Sequence, residues 1–130
     1  MNWNLIVRLS FLGFIMGAST ALGIPMMVTA ILWLAFYGVC VVVIAKRCTH
    51  KYFLNGFMLS LVNIGWVTGF HVIFYKIYLT NNPAIELLYT LLPFSESPRL
   101  GMIFMAPILG SFFGLLVGFF SFLVAKVIGK

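Results

Sequence analysis

Between Arg8 and Lys46 the chain carries 37 consecutive residues without a Lys, Arg, Asp or Glu. As one helix this run would be about 55 Å long at about 1.5 Å per residue, against a hydrocarbon core about 30 Å thick. The run must therefore double back. Gly23-Ile24-Pro25 is the natural turn, because Gly accepts unusual dihedrals and Pro suits the first turn of a following helix. Two more uncharged runs follow, 24 residues between Lys51 and Lys76 and 26 between Arg99 and Lys126. Each is continuous and long enough to cross a bilayer as a helix, whereas barrel strands would alternate over about 10 residues.

Composition closes off the alternatives. The chain is 63% hydrophobic and 8% charged, where a soluble domain is about 45–50% apolar and about 25% charged. At 130 residues a soluble fold cannot hide so much apolar surface. The sequence thus excludes a soluble globular domain, a disordered chain and a disulfide scaffold. It predicts an all-α integral membrane protein, a single membrane domain over residues 1–130. Four transmembrane helices are expected near 5–22, 25–45, 52–76 and 100–126, in a compact antiparallel bundle. Residues 77–99 form the one long connection. There Asn82-Pro83 reads as an N-cap and N1 pair, opening a short amphipathic helix over 83–92 that Pro93 ends. Its short apolar character predicts an interfacial helix on the outer leaflet.

Charge placement orients the chain. With four crossings, Arg8, Lys46, Arg47, Lys51, Lys126 and Lys130 fall at one end, and Lys76 and Arg99 are balanced by Glu86 and Glu96 at the other. The positive-inside rule then predicts cytoplasmic N and C termini. The N-terminus lacks the features of a signal peptide, and short loops point to the cytoplasmic (inner) membrane of a bacterium. The basic balance reads as this orientation signal rather than as nucleic-acid or anionic-lipid binding, which needs a denser cluster.

Small residues mark the expected helix contacts. Helices associate in lipid by close backbone approach. Gly110, Gly114 and Gly118 form a stripe in the fourth span, Gly13 and Gly17 a shorter one in the first, and Gly65 and Gly69 one in the third. These predict packing within the chain, or packing with a second copy or another membrane protein. Pro107 predicts a kink in the fourth span.

Chemistry-bearing residues are few. No acid lies within a span, which removes the usual carrier of proton- or cation-coupled transport. At 100° per residue, Gly56, Ser60, Asn63, Val67 and His71 share a face of the third helix, opposite Gly65 and Gly69. Either the helix packs on its glycine face and presents the polar stripe on the other, or both faces are buried; Ser60 and Asn63 then read as interhelical hydrogen-bonding residues, or with His71 as the lining of a solute path. Ser60, Asn63, His71 and Tyr37 form the candidate polar intramembrane site, with Tyr37 expected to hydrogen-bond Asn63 at mid-depth. His50 and His71 are one span apart, about 31 Å, and cannot share a metal. Cys40, Cys48 and His50 lack the paired spacing of a zinc site. No catalytic set, metal or cofactor is expected. The function expected is that of a non-enzymatic accessory, assembly or interaction subunit acting through helix packing in the lipid bilayer. The alternative is a small dimeric channel or transporter for a neutral solute or ion, lined by the polar face of the third helix.

Overall fold

The computed structural model describes residues 1–130, and every regular element in it is a helix. Helix α1 (Trp3–Ala21) starts where the Asn2 side chain accepts a hydrogen bond from the Leu5 amide at 3.2 Å, which satisfies one of the orphan donors of the first turn. A turn at Gly23, φ +83, leads through Pro25 into α2 (Met26–Arg47). A side chain at Gly23 would also meet the Cβ of Asn81 at 2.8 Å, so glycine is required there on two counts. Helix α3 spans Tyr52–Ile73, α4 Tyr75–Asn81, α5 Pro83–Thr90 and α6 Pro98–Val127. Four of these, α1, α2, α3 and α6, are long and apolar enough to cross a membrane. Helix α6 runs unbroken through Pro107.

Only 28 of the 130 residues are buried, and Leu34, Ile73, Met26 and Val127 are 74–85% exposed. Apolar surface on this scale is untenable in water and ordinary in hydrocarbon.

Helix α3 is the hub. It lies between α1 and α6, while α2 packs mainly on α6 and has narrower contacts with α1 and α3. The register of contacts makes α1 and α3 parallel, with Gly13 at Asn63 and Gly17 at Val67. It makes α3 and α6 antiparallel, with Gly110 at Ile64 and Gly118 at Phe53. The physical reason is side-chain size. Glycines in α1 and α6 admit the backbone of α3, whereas the one glycine of α2, Gly38, has open space around it. Helix α2 instead contributes Phe36, Cys40 and Ile44 to a side-chain core with Ile6, Cys48 and Leu59.

The third span ends earlier than its uncharged run implies. The chain turns at Phe74 (ψ 34), and residues 75–81 form α4 rather than the end of α3 and the start of a loop. The turn lets Tyr78 and Leu79 bury against Ala21 and Met102. It also brings Asn81 Nδ2 to 3.0 Å from the Ala21 carbonyl, and Asn82 Nδ2 to 3.0 Å from that of Thr20. These carbonyls belong to the last turn of α1 and have no partner within their own helix. Asn82 does occupy the N-cap position of α5, but its side chain is committed elsewhere: it also donates to the Tyr78 carbonyl at 2.8 Å. Asn82→Ala should therefore loosen this end by about 1–2 kcal/mol. Hydrogen exchange should rise in α4 and at the end of α1, with α6 unchanged.

Candidate functional site

The polar stripe of α3 faces inward. Asn55, Gly56, Leu59, Ser60, Asn63 and Val67 are its buried residues. Within the chain Gly65 and Gly69 stand open: a Cβ at either would have nothing within 4 Å. The inside–outside assignment of α3 is thus the reverse of packing on the glycine face. The glycines that pack here are Gly56 of α3 and those of its neighbours, of which Gly13 leaves room for the polar side chain of Asn63.

Asn63 is fully buried, with its side chain against Gly13 of α1, and neither its Oδ1 nor its Nδ2 has a hydrogen-bond partner. Ser60 is also fully buried, and its Oγ lies 3.5 Å from the Tyr37 hydroxyl. Tyr37 therefore hydrogen-bonds Ser60, with Asn63 beside the pair but not bonded to it. Its ring stacks between Trp33, at 5.2 Å, and Phe113, at 6.2 Å, so apolar packing sets its position and the long hydroxyl contact follows. Ser121 of α6 is a second buried polar side chain without a partner.

His71 lies at the other end of the stripe, away from this cluster. Its Nε2 is 2.7 Å from Thr20 Oγ1. The Thr20 hydroxyl also lies 3.0 and 3.1 Å from the α1 carbonyls of Gly17 and Met16. With its proton on those carbonyls, Thr20 Oγ1 accepts from a His71 protonated at Nε2. The ring lies flat on Tyr78, with centroids 3.7 Å apart and planes 8° apart. Outside the spans, burial pushes the Tyr78 hydroxyl up to about 12, so Tyr78 stays neutral beside the imidazole. Ser60, Asn63 and Tyr37 thus form one cluster, and His71 belongs to a second with Thr20 and Tyr78.

Four further polar anchors hold the helices together, and of these only Asn82 carries a sequence motif, which marks it as an N-cap rather than as a tie to α1. Asn55, buried in the first turn of α3, accepts from the Asn2 amide at 2.9 Å and donates to the Lys51 and His50 carbonyls at 2.9 and 3.3 Å. Ser10 accepts from the Trp66 indole at 3.2 Å. Asn81 and Asn82 tie α4 to α1. Their common signal is an amide or hydroxyl within or beside an apolar run, where an unpaired polar group is costly. No group of three or more His, Cys, Asp or Glu side chains converges anywhere. The arrangement can hold helices in register.

No protein-family model, curated protein or solved structure matches this chain.

Proposed function

We propose that the chain is a non-enzymatic accessory or assembly subunit of a membrane, acting by helix packing with a second copy or with another membrane protein. The observation that carries this is Gly65 and Gly69 on α3. They form a small-xxx-small pair of the kind that admits a partner backbone, and within the chain nothing fills it. The comparable pairs in α1 and α6 are filled by α3. Around this surface the four spans form a compact bundle in which consecutive spans alternate in direction. Helix α5, which buries no residue, lies as an amphipathic segment in the outer interface. Both termini face the cytoplasm of a bacterial cell, in keeping with the basic residues of the α2–α3 loop and of the chain ends.

Gly69→Ile should weaken association at least about tenfold, equivalent to roughly 1.4 kcal/mol, without changing helix content. Crosslinking and mass measurement in native-lipid nanodiscs would show it. A wild-type chain that is strictly monomeric and co-purifies with nothing would sink the reading. For orientation, single cysteines at 2, 49 and 128, in a chain lacking Cys40 and Cys48, should react from the cytoplasmic side and one at 96 from outside. The natural Cys48 should label slowly by comparison, since it is 3% exposed and burial pushes its thiol up from the ordinary value.

A second reading, a small dimeric channel or transporter for a neutral solute or ion, is favoured by one observation. The buried Asn63 amide has unspent hydrogen-bonding capacity in mid-span. The close approach of Gly13 to Asn63 weighs against an open path there.

A further inference from the structure

The basic end of the molecule holds a cavity of about 390 Å³, lined by Asn2, Trp3, Asn4, Arg47, Cys48, Thr49, His50 and Asn55 together with Met1. It lies where the start of α1, the α2–α3 connection and the first turn of α3 come together. Trp3 and Tyr52 stand at this level, the position of an aromatic interface belt.

The lining is rich in donors and poor in acceptors. Neither acid of the chain is near: Glu86 lies in α5 and Glu96 just before α6, at the opposite end. Two of the side-chain amide oxygens that face the cavity, those of Asn55 and Asn2, are already used. Asn55 Nδ2 takes the carbonyls of His50 and Lys51, Asn55 Oδ1 takes the Asn2 amide, and Asn2 Oδ1 takes the Leu5 amide. On the imidazole of His50, Nδ1 is paired with Thr49 Oγ1 at 3.0 Å, leaving Nε2 free. The Arg47 guanidinium has no hydrogen bond or ion pair within the chain, and the amides of Asn2 and Asn4 keep their donors. Nearby, Lys130 donates to the Lys46 carbonyl at 2.6 Å, bringing the C-terminal lysine to the same end.

A pocket of unspent donors around an unpaired guanidinium, with no Asp or Glu side chain beside it, selects an oxyanion. Guanidinium presents a planar fork matched to the oxygens of phosphate. The volume exceeds what a lone phosphate fills and leaves room for the polar part of a phosphodiester headgroup. Below the cavity, Val7 and Phe11 of α1 are 57% and 60% exposed and offer an apolar track for acyl chains. We propose that this cavity binds the phosphate of an anionic phospholipid headgroup, with Arg47 as its principal anion ligand and His50, Asn2 and Asn4 as further donors.

The test uses the full chain in neutral detergent, titrated with phosphatidylglycerol, with phosphatidylcholine or with inorganic phosphate. Thermal midpoint and lipid retention in native mass spectrometry are read together. Phosphatidylglycerol should raise the midpoint and remain bound where phosphatidylcholine does not. Arg47→Gln should weaken phosphatidylglycerol binding roughly tenfold, as expected for loss of a charged hydrogen-bonding pair. Lys126→Gln, which removes the same charge from the same end but lies outside the cavity, should leave binding within about twofold of wild type. His50→Gln, at an exposed position, supplies a second variant if Arg47→Gln proves unstable, and should weaken binding by a smaller factor. Equal losses from Arg47→Gln and Lys126→Gln, or equal binding of both lipids, would overturn the proposal. Arg47-dependent stabilisation by inorganic phosphate, with no retention of phosphatidylglycerol, would keep the oxyanion site and assign it to a free phosphate instead of a lipid.

Discussion

Gly118→Val should separate α6 from α3 and be strongly destabilising. A Cβ at Gly118 would stand 2.7 Å from the Phe53 carbonyl oxygen and 3.0 Å from the Phe53 ring. The oxygen belongs to backbone and cannot rotate away. Across the same contact, a Cβ at Gly56 would meet Val117 O at 2.8 Å and Gly118 N at 2.9 Å, so each helix blocks relief by the other. Overpacking a close contact costs about 1–3 kcal/mol and occasionally more; a branched side chain against fixed backbone belongs at or above the top of that range. A graded alanine series makes the expectation specific. Gly118→Ala should be clearly destabilising. Gly110→Ala should be milder, because the obstructing atom is Ile64 Cγ2, the end of a side chain, at 2.6 Å. Gly65→Ala meets nothing and should be neutral, or stabilising by up to about 1 kcal/mol through helix propensity. Unfolding in mixed micelles gives the order. A Gly65→Ala penalty as large as that of Gly118→Ala would mean that Gly65 is already occupied by a partner helix.

The spans were legible because charge is excluded from hydrocarbon, so the ionised side chains bracket every crossing. The turn at Gly23 followed from length alone, since the run from Arg8 to Lys46 is too long for one crossing. What the sequence left open was which face of α3 is buried. In water, hydrophobicity decides inside from outside. In lipid both sides are apolar, and glycine and polar residues are both packing residues. The periodicity of α3 therefore showed two special faces without ranking them, and the polar one is inside. The break at Phe74 was hidden for a different reason. Its cause is long-range: the last carbonyls of α1 need donors, and Asn81 and Asn82, 60 and 62 residues away, supply them. The pairing of Tyr37 with Ser60 rather than Asn63 likewise depends on the stacking of Tyr37 between Trp33 and Phe113, which no single-helix pattern contains.

Asn63→Leu should make the protein more stable, which sets the two functional readings apart. A buried amide without partners forfeits roughly 1–3 kcal/mol, and Leu occupies a similar volume with no polar group to satisfy. The unfolding midpoint should therefore rise by the equivalent of about 1–2 kcal/mol. If the chain acts by helix packing through Gly65 and Gly69, association should be unchanged, because Asn63 lies on the opposite face of α3. If the stripe lines a solute path, liposome flux should fall while stability rises. A loss of stability in Asn63→Leu would show that the amide finds partners by a rearrangement of the α1–α3 contact. The coupling to α1 gives an independent check. A Cβ at Gly13 would overlap the Asn63 side chain, so Gly13→Ala alone should be destabilising by about 1–3 kcal/mol. In an Asn63→Ala background the obstructing amide is gone, and most of that penalty should vanish. The double-mutant cycle should thus return a coupling of at least about 1 kcal/mol, within the range for residues in direct contact. A coupling near zero would mean that α1 and α3 do not meet at Gly13 and Asn63. The parallel register of α1 against α3 would then need to be redrawn.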